Sequence, residues 1–185
     1  MADRDGANTP LIIAIRWGNL DVVRQLLKHD KADVNFMNIN GDTPLTLAIS
    51  RGSSEVVCEL LKYENLDVNV HDKNGQTSIA VASRNECWDV VLELLRHDKV
   101  DVNVRWHLGY TALIWASLKG RLDVVSALLK HDNVDADIKN IAGSTAFDIA
   151  RNCEWPSIVS LLERHRADLS SNGCDALSSR KRRRL

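Results

Sequence analysis

The chain has 185 residues, which is enough for one ordinary domain or one short array of repeats. Hydrophobic residues make up 44% and charged residues 26%, a balance that excludes a disordered chain. Residues 1–179 contain 19 basic and 25 acidic residues, a net charge of −6, which argues against a body that grips a phosphate backbone. The early apolar run 11–15 is far too short to span a membrane, and the four cysteines show no CxxC pairing.

The chain repeats itself every 34 residues from its first helix onward. Five columns keep this step in register, among them the threonines Thr9, Thr43, Thr77, Thr111 and Thr145. A glycine stands two residues before four of these threonines, at Gly41, Gly75, Gly109 and Gly143. Fixed periods of this length are typical of a stacked solenoid.

Each unit predicts two short helices. The Gly-x-Thr motif marks a turn followed by a helix N-cap, and Pro10 and Pro44 stand at the first helical position. Gly18, Gly52 and Gly120 end the first helix. The second helix carries a Val-Val-x-x-Leu-Leu stripe, and a polar segment such as 30–42 leads to the next unit. One such pair cannot cover its own apolar face, so the units are expected to stack.

These units resemble ankyrin repeats. The match rests on Gly-Asp-Thr-Pro-Leu-Thr-Leu-Ala at 41–48, Glu-Val-Val-Cys-Glu-Leu-Leu at 55–61 and Asp-Val-Asn at 67–69. The resemblance implies an all-α solenoid of five helix-turn-helix units joined by β-hairpin-like loops. The expected organisation is an extension at 1–4, repeats at about 5–37, 38–71, 72–105, 106–139 and 140–169, and a flexible basic tail at 170–185.

Several positions depart from the family pattern. The histidine expected two residues after the Thr-Pro pair is absent from every unit. Glu86 and Glu154 replace the glycine between the two helices. Glu163 stands in a column of leucines, a polar replacement that suits a C-terminal cap.

No catalytic or metal site is predicted. His29, His97, His131 and His165 recur in one column, and neighbouring units lie about 8–10 Å apart, too far for adjacent members to share a zinc ion. Cys87 and Cys153 lack the Gly-rich elbow of a nucleophile, and no Gly-rich phosphate loop is present. The chain is therefore expected to be a non-enzyme without cofactors, and a monomer.

The predicted function is protein binding. In ankyrin folds the hairpin tips and first helices line a concave face where partners bind, and the fourth tip, Trp106-His-Leu-Gly-Tyr110, is unusually apolar for a solvated turn. Covering of Trp106 by a neighbouring hairpin is the alternative, while Trp88 and Trp115 fall in core columns. The candidate partner-binding residues are Trp17, Arg51, Lys73, Asn74, Gln76, Arg84, Trp106, His107, Leu108, Tyr110, Leu118 and Lys119.

The resemblance implies an inhibitor, scaffold or adaptor. The unpaired cysteines and the basic tail favour a location in the cytoplasm, the nucleus or both. The basic run at the end of the tail also fits an alternative, a nuclear transcription-related regulator that uses its tail for import or nucleic-acid contact. The import candidates are Arg180, Lys181, Arg182, Arg183 and Arg184. The Asp-Val-Asn asparagines resemble sites of asparaginyl hydroxylation in ankyrin repeats, namely Asn35, Asn69 and Asn103.

Overall fold

The structure is a computed structural model that describes residues 8–28, 32–72 and 74–182, with side chains to residue 170. Its helices form five consecutive pairs, so the predicted all-α fold is confirmed. The described residues contain no strand, and one 3₁₀ turn at His107–Gly109 lies in the third linker between helix pairs, at the start of the fourth unit. The helices are α1 Pro10–Arg16, α2 Leu20–Leu27, α3 Pro44–Ser50, α4 Ser54–Leu60, α5 Ser78–Arg84, α6 Trp88–Leu94, α7 Ala112–Leu118, α8 Leu122–Leu128, α9 Ala146–Asn152 and α10 Pro156–Arg182.

The repeated threonine starts the first helix of each pair. In four units its hydroxyl accepts a hydrogen bond from the backbone N–H three residues later, at Ile12, Thr46, Ile114 and Asp148. Thr77 differs, because its buried hydroxyl has no partner among the described residues. There the hydroxyl of Ser78 donates instead to the carbonyl of Val68 at 2.6 Å. The capping predicted from the Gly-x-Thr motif therefore holds in four of the five units.

The turn between the two helices of each pair needs a left-handed residue. Gly18, Gly52 and Gly120 adopt φ of 68° there, a conformation that costs glycine little. Glu86 and Glu154 occupy the same place with φ of 58° and 59°. These two units keep the turn of the others at the cost of backbone strain on a residue with a Cβ.

The core runs along the stack without a break. First helices pack against first helices, and second helices against second helices, from one pair to the next. Buried side chains extend from Leu11 in α1 to Leu162 in α10. At the first unit, Val22 is 43% exposed, whereas Val56 of the second unit is 3% exposed. Burial of this column therefore depends on having a preceding unit, as the solenoid predicts.

The Asp-Val-Asn segments join consecutive units through asparagine side chains. Asn69 Nδ2 donates to the carbonyl of Lys99 at 2.7 Å, and its Oδ1 accepts from the N–H of Asp101 at 2.9 Å. Asn35 and Asn103 make the same pair of bonds to the units that follow them. In the fourth unit Asp137 takes this place, and its Oδ1 accepts from Arg166 Nη2 of α10 at 2.7 Å. The ladder thus changes from amide bonds to an ion pair where the repeats end.

Helix α10 is much longer than the other helices. Its backbone is helical from Pro156 to Arg182, whereas the sequence predicts a flexible tail from residue 170. Serine and glycine suggested that break, but alanine, leucine and the basic residues of the same stretch are good helix formers. Glu163 is exposed on α10, at the place where Leu27 is buried in the first unit.

Candidate functional site

Three of the four inter-repeat turns are built by a side-chain oxygen. Asn38 Oδ1 accepts from the N–H groups of Asn40 and Asp42, both at 2.9 Å. Asp72 and Asn140 do the same for the tips that begin the third and fifth units, and each tip is numbered here by its unit. Each turn also has a hairpin-type backbone bond, such as Asn38 N–H to the carbonyl of Asp42 at 3.0 Å. The tips are therefore rigid, and they hold out Ile39 and Ile141, which are 77% and 71% exposed.

The fourth tip is built differently, because Trp106 stands where the others have Asn or Asp. Its N–H still bonds to the carbonyl of Tyr110 at 3.0 Å, but Leu108 must adopt φ of 60°. The carbonyl of Leu108 then accepts from the N–H of Ile141 at 3.0 Å, which ties the fourth tip to the fifth. Leu108 is 46% exposed, so this apolar side chain remains available at the tip.

Trp106 lies in the hydrophobic core at 8% exposure, so the expectation of an exposed contact residue there is wrong. The physical reason is that burial of the indole removes a large apolar area from water, which a solvated turn cannot do. This burial agrees with the alternative, in which Trp106 packs onto a neighbouring hairpin and does not face a partner. Trp88 is likewise buried at 8%, and Arg121 lies over its ring at 5.2 Å.

A line of contacts joins the fourth tip to the end of a first helix. The ring of Tyr110 meets that of Trp115 edge to face, with centroids 5.3 Å apart. Lys119 Nζ lies 5.2 Å from the centroid of the Trp115 ring. The same Nζ is 2.6 Å from Glu86 Oε1, in the turn of the preceding unit. Tips and first-helix ends therefore share one continuous surface here, which we call the candidate groove.

The candidate groove is defined throughout the stack by the turn residues 38–42, 72, 74–76, 107–110 and 140–144 and by the helix ends 16–17, 50–51, 84–85, 118–119 and 152–153. Trp17 is 80% exposed in it, the largest exposed fraction among the exposed large hydrophobic side chains. Leu118 is half-buried, while Gln76 is 7% exposed and its Oε1 has no partner among the described residues. The remaining described candidates are exposed, namely Arg51, Asn74, Arg84 and His107.

Some predicted residues cannot be placed. Lys73, His29, Arg183 and Arg184 lie outside the described residues, as do the side chains of Arg180, Lys181 and Arg182.

The structure also shows contacts that the sequence did not reveal. The ion pairs Glu86–Lys119 and Asp137–Arg166 join residues 33 and 29 positions apart, a separation outside the side-chain patterns of a single helix.

Reactive groups do not converge in the described part of the chain. No group of three or more His, Cys, Asp or Glu side chains there could hold a metal ion. Burial raises the pKa of the Cys87 thiol, which keeps it protonated and poorly nucleophilic.

A cavity of about 280 Å³ opens at the C-terminal end of the stack, lined by Val134, Asp137, Phe147, Leu162, His165 and Arg166. Among the described residues, no helix has the length and apolar character that a membrane span requires.

Comparison with known proteins identifies the repeats. A family model described as ankyrin repeats (3 copies) matches residues 1–72 and 64–140. The matches together cover well over half of the chain, from its start to the segment between the fourth and fifth helix pairs. Among curated proteins, none matches the sequence.

Proposed function

The chain belongs to the ankyrin-repeat family, and we propose that it acts as a non-enzymatic adaptor or inhibitor that holds a protein partner in the candidate groove. Ankyrin repeats indicate a protein–protein interaction module, and members of the family are generally not enzymes. The observation that carries the proposal is the contact line from Tyr110 through Trp115 to Lys119, which presents aromatic and cationic groups on one surface. Such groups dominate the binding energy of many interfaces.

Affinity purification with matched variants tests this proposal. Leu108→Ser with Lys119→Glu changes the groove, where Leu108 is 46% exposed. Leu122→Ser with Lys130→Glu makes the same chemical changes on the second-helix side, where Leu122 is 43% exposed. We expect the groove variant to lose captured proteins that both the wild type and the control retain. Equal capture by both variants, with melting temperatures matched, would contradict binding in the groove.

A nuclear role is the second candidate, and five consecutive basic residues at 180–184 favour it. In this case the tail directs import or contacts nucleic acid while the repeats bind a transcription-related protein. Deletion of residues 180–185 from a fluorescent fusion should lower its nuclear fraction, and an unchanged fraction would remove import. Salt-dependent DNA binding that disappears with the same deletion would separate nucleic-acid contact from import.

A further inference from the structure

The acidic residues of the first four helix pairs are segregated between the two helices of each pair. The five first helices and their C-cap residues carry five cations, Arg16, Arg51, Arg84, Lys119 and Arg151, and one acid, Asp148. Helices α2, α4, α6 and α8 with their C-caps carry six acids, Asp21, Glu55, Glu59, Asp89, Glu93 and Asp123, and two cations, Arg24 and Lys28. The body is acidic as a whole, yet its first helices form a cationic strip.

The helix dipole accounts for the cations at the helix ends, but not for the distribution of the acids. Cations near a helix C-terminus are favourable in general, so the second helices should carry them as well. The second helices do carry them, because Lys62, Arg96 and Lys130 directly follow the C-caps of α4, α6 and α8. What distinguishes the first helices is their lack of acids, since they and their C-caps carry one acid, whereas α2, α4, α6 and α8 with their C-caps carry six.

Two arginines near the middle of the strip are free to bind. Arg51 and Arg84 are exposed, and neither makes an ion pair or hydrogen bond with a described side chain. The single acid of the first helices does not neutralise them, because Asp148 is held at the start of α9 by the N–H and hydroxyl of Thr145. Elsewhere in the strip, Lys119 is paired with Glu86, and Arg16 donates a hydrogen bond to Asn8 Oδ1 at 3.2 Å. Exposed guanidinium groups in a row suit carboxylates, which they bind in a bidentate manner.

Apolar groups flank the cations. Trp17 is 80% exposed beside Arg16. The half-buried ring of Trp115 lies 5.2 Å from Lys119 Nζ, and half-buried Tyr110 packs against Trp115. Resting on the proposed function, we propose that the candidate groove binds an acidic polypeptide segment, whose carboxylates pair with Arg51 and Arg84 and whose apolar side chains meet the aromatic groups. A nucleic acid fits less well, because its charge is continuous and residues 1–179 carry a net charge of −6.

A selection from a random dodecapeptide library displayed on phage tests the chemistry of the partner. The full-length chain, Arg51→Glu with Arg84→Glu, and the control Lys99→Glu with Lys130→Glu are used as parallel targets. Both doubly substituted variants have the same net charge, and Lys99 and Lys130 are exposed away from the first helices. We expect peptides rich in Asp and Glu with an aromatic residue. Their affinity should fall at least about tenfold on the groove variant and change little on the control.

The outcomes separate this inference from the proposed function. Neutral or basic peptides that still depend on Arg51 and Arg84 would leave groove binding intact and overturn the acidic partner. Peptides that bind all three targets equally, or no enrichment at all, would overturn both. A single-stranded oligo-dT of 15 nucleotides is measured in parallel, and binding that matches the best peptide and is lost with Arg51→Glu/Arg84→Glu would assign the strip to nucleic acid.

Discussion

The indole of Trp155 lies directly against Gly120, so that a Cβ added to Gly120 would stand 2.7 Å from Cε2 of the indole ring. Gly120 ends the first helix of the fourth unit, and Trp155 precedes the last helix of the fifth. This glycine is therefore required twice, for its φ of 68° and for the space that the next unit fills. At Gly52, which has the same φ, nothing lies within 4 Å of an added Cβ.

The contrast between Gly52 and Gly120 predicts that replacement by alanine destabilises the protein more at Gly120 than at Gly52. Gly52→Ala should lower the free energy of unfolding by about 1 kcal/mol through left-handed strain alone. Gly120→Ala should lower it by at least about 1 kcal/mol more, because the indole has to move. Urea denaturation followed by circular dichroism measures both values. In a Trp155→Ala background the two alanine substitutions should cost the same, and a persisting difference would mean that the indole is not its cause.

Two buried serines in neighbouring first helices predict a gain in stability. Ser83 and Ser117 are fully buried, and their hydroxyls have no partner among the described residues. Replacement by alanine removes an unsatisfied polar group, so each variant should gain about 1 kcal/mol. Ser78→Ala is the matched control, since its buried hydroxyl donates to the carbonyl of Val68, and it should lose a similar amount. Thermal melting would contradict the argument if Ser83→Ala melted below the wild type.

Burial of Trp106 predicts that its substitution lowers the stability of the fold, whereas the sequence suggested an effect on partner binding. Its indole is 8% exposed and belongs to the core, so Trp106→Ala should lower the free energy of unfolding by about 3 kcal/mol or more. His107→Ala, at an exposed neighbour in the same turn, is the control and should melt like the wild type. An unchanged melting temperature for Trp106→Ala would return this residue to the candidate contact surface.

These cases show what the sequence could and could not predict. The 34-residue period sets the helix pairs, the threonine caps and the stacking order, because each depends on contacts that recur in every unit. The exceptions occur where one unit departs from the others. Trp106 places an indole in a buried column whose other members are Asn or Asp, and Asn38 and Asn140 are 4% and 7% exposed there. Lys119 pairs with Glu86, whose column is glycine in three of the five units. Such contacts depend on the shape of two particular neighbours, and no periodicity encodes them.

The asparagine ladder predicts that coupling between units depends on side chains. Asn69→Ala removes two hydrogen bonds to the next unit, to the carbonyl of Lys99 and from the N–H of Asp101, and should lower the free energy of unfolding by about 1–2 kcal/mol. Asn74→Ala should have almost no effect, because the side chain of Asn74 reaches only Asp72 at 3.4 Å. Hydrogen exchange should also show faster exchange at Asp101 in Asn69→Ala, and equal protection there would contradict the coupling.

The hydrogen-bonded carboxylate of Asp148 predicts that the stability of the last helix pair decreases at acidic pH. Hydrogen bonds from the Thr145 backbone N–H, and then from its hydroxyl, lower the pKa of the Asp148 carboxyl. A carboxyl whose pKa is lower in the folded state stabilises the fold above its unfolded pKa of about 3.9, and this contribution is lost as the pH falls through the folded value. Asp148→Asn should therefore cost about 1 kcal/mol at pH 7, the value typical of a lost helix cap, and progressively less below pH 4. Denaturation at pH 7 and pH 3, with Asp98→Asn as an exposed control, measures the difference. A cost for Asp148→Asn that is equal at both pH values would show that the carboxylate charge does not cap α9.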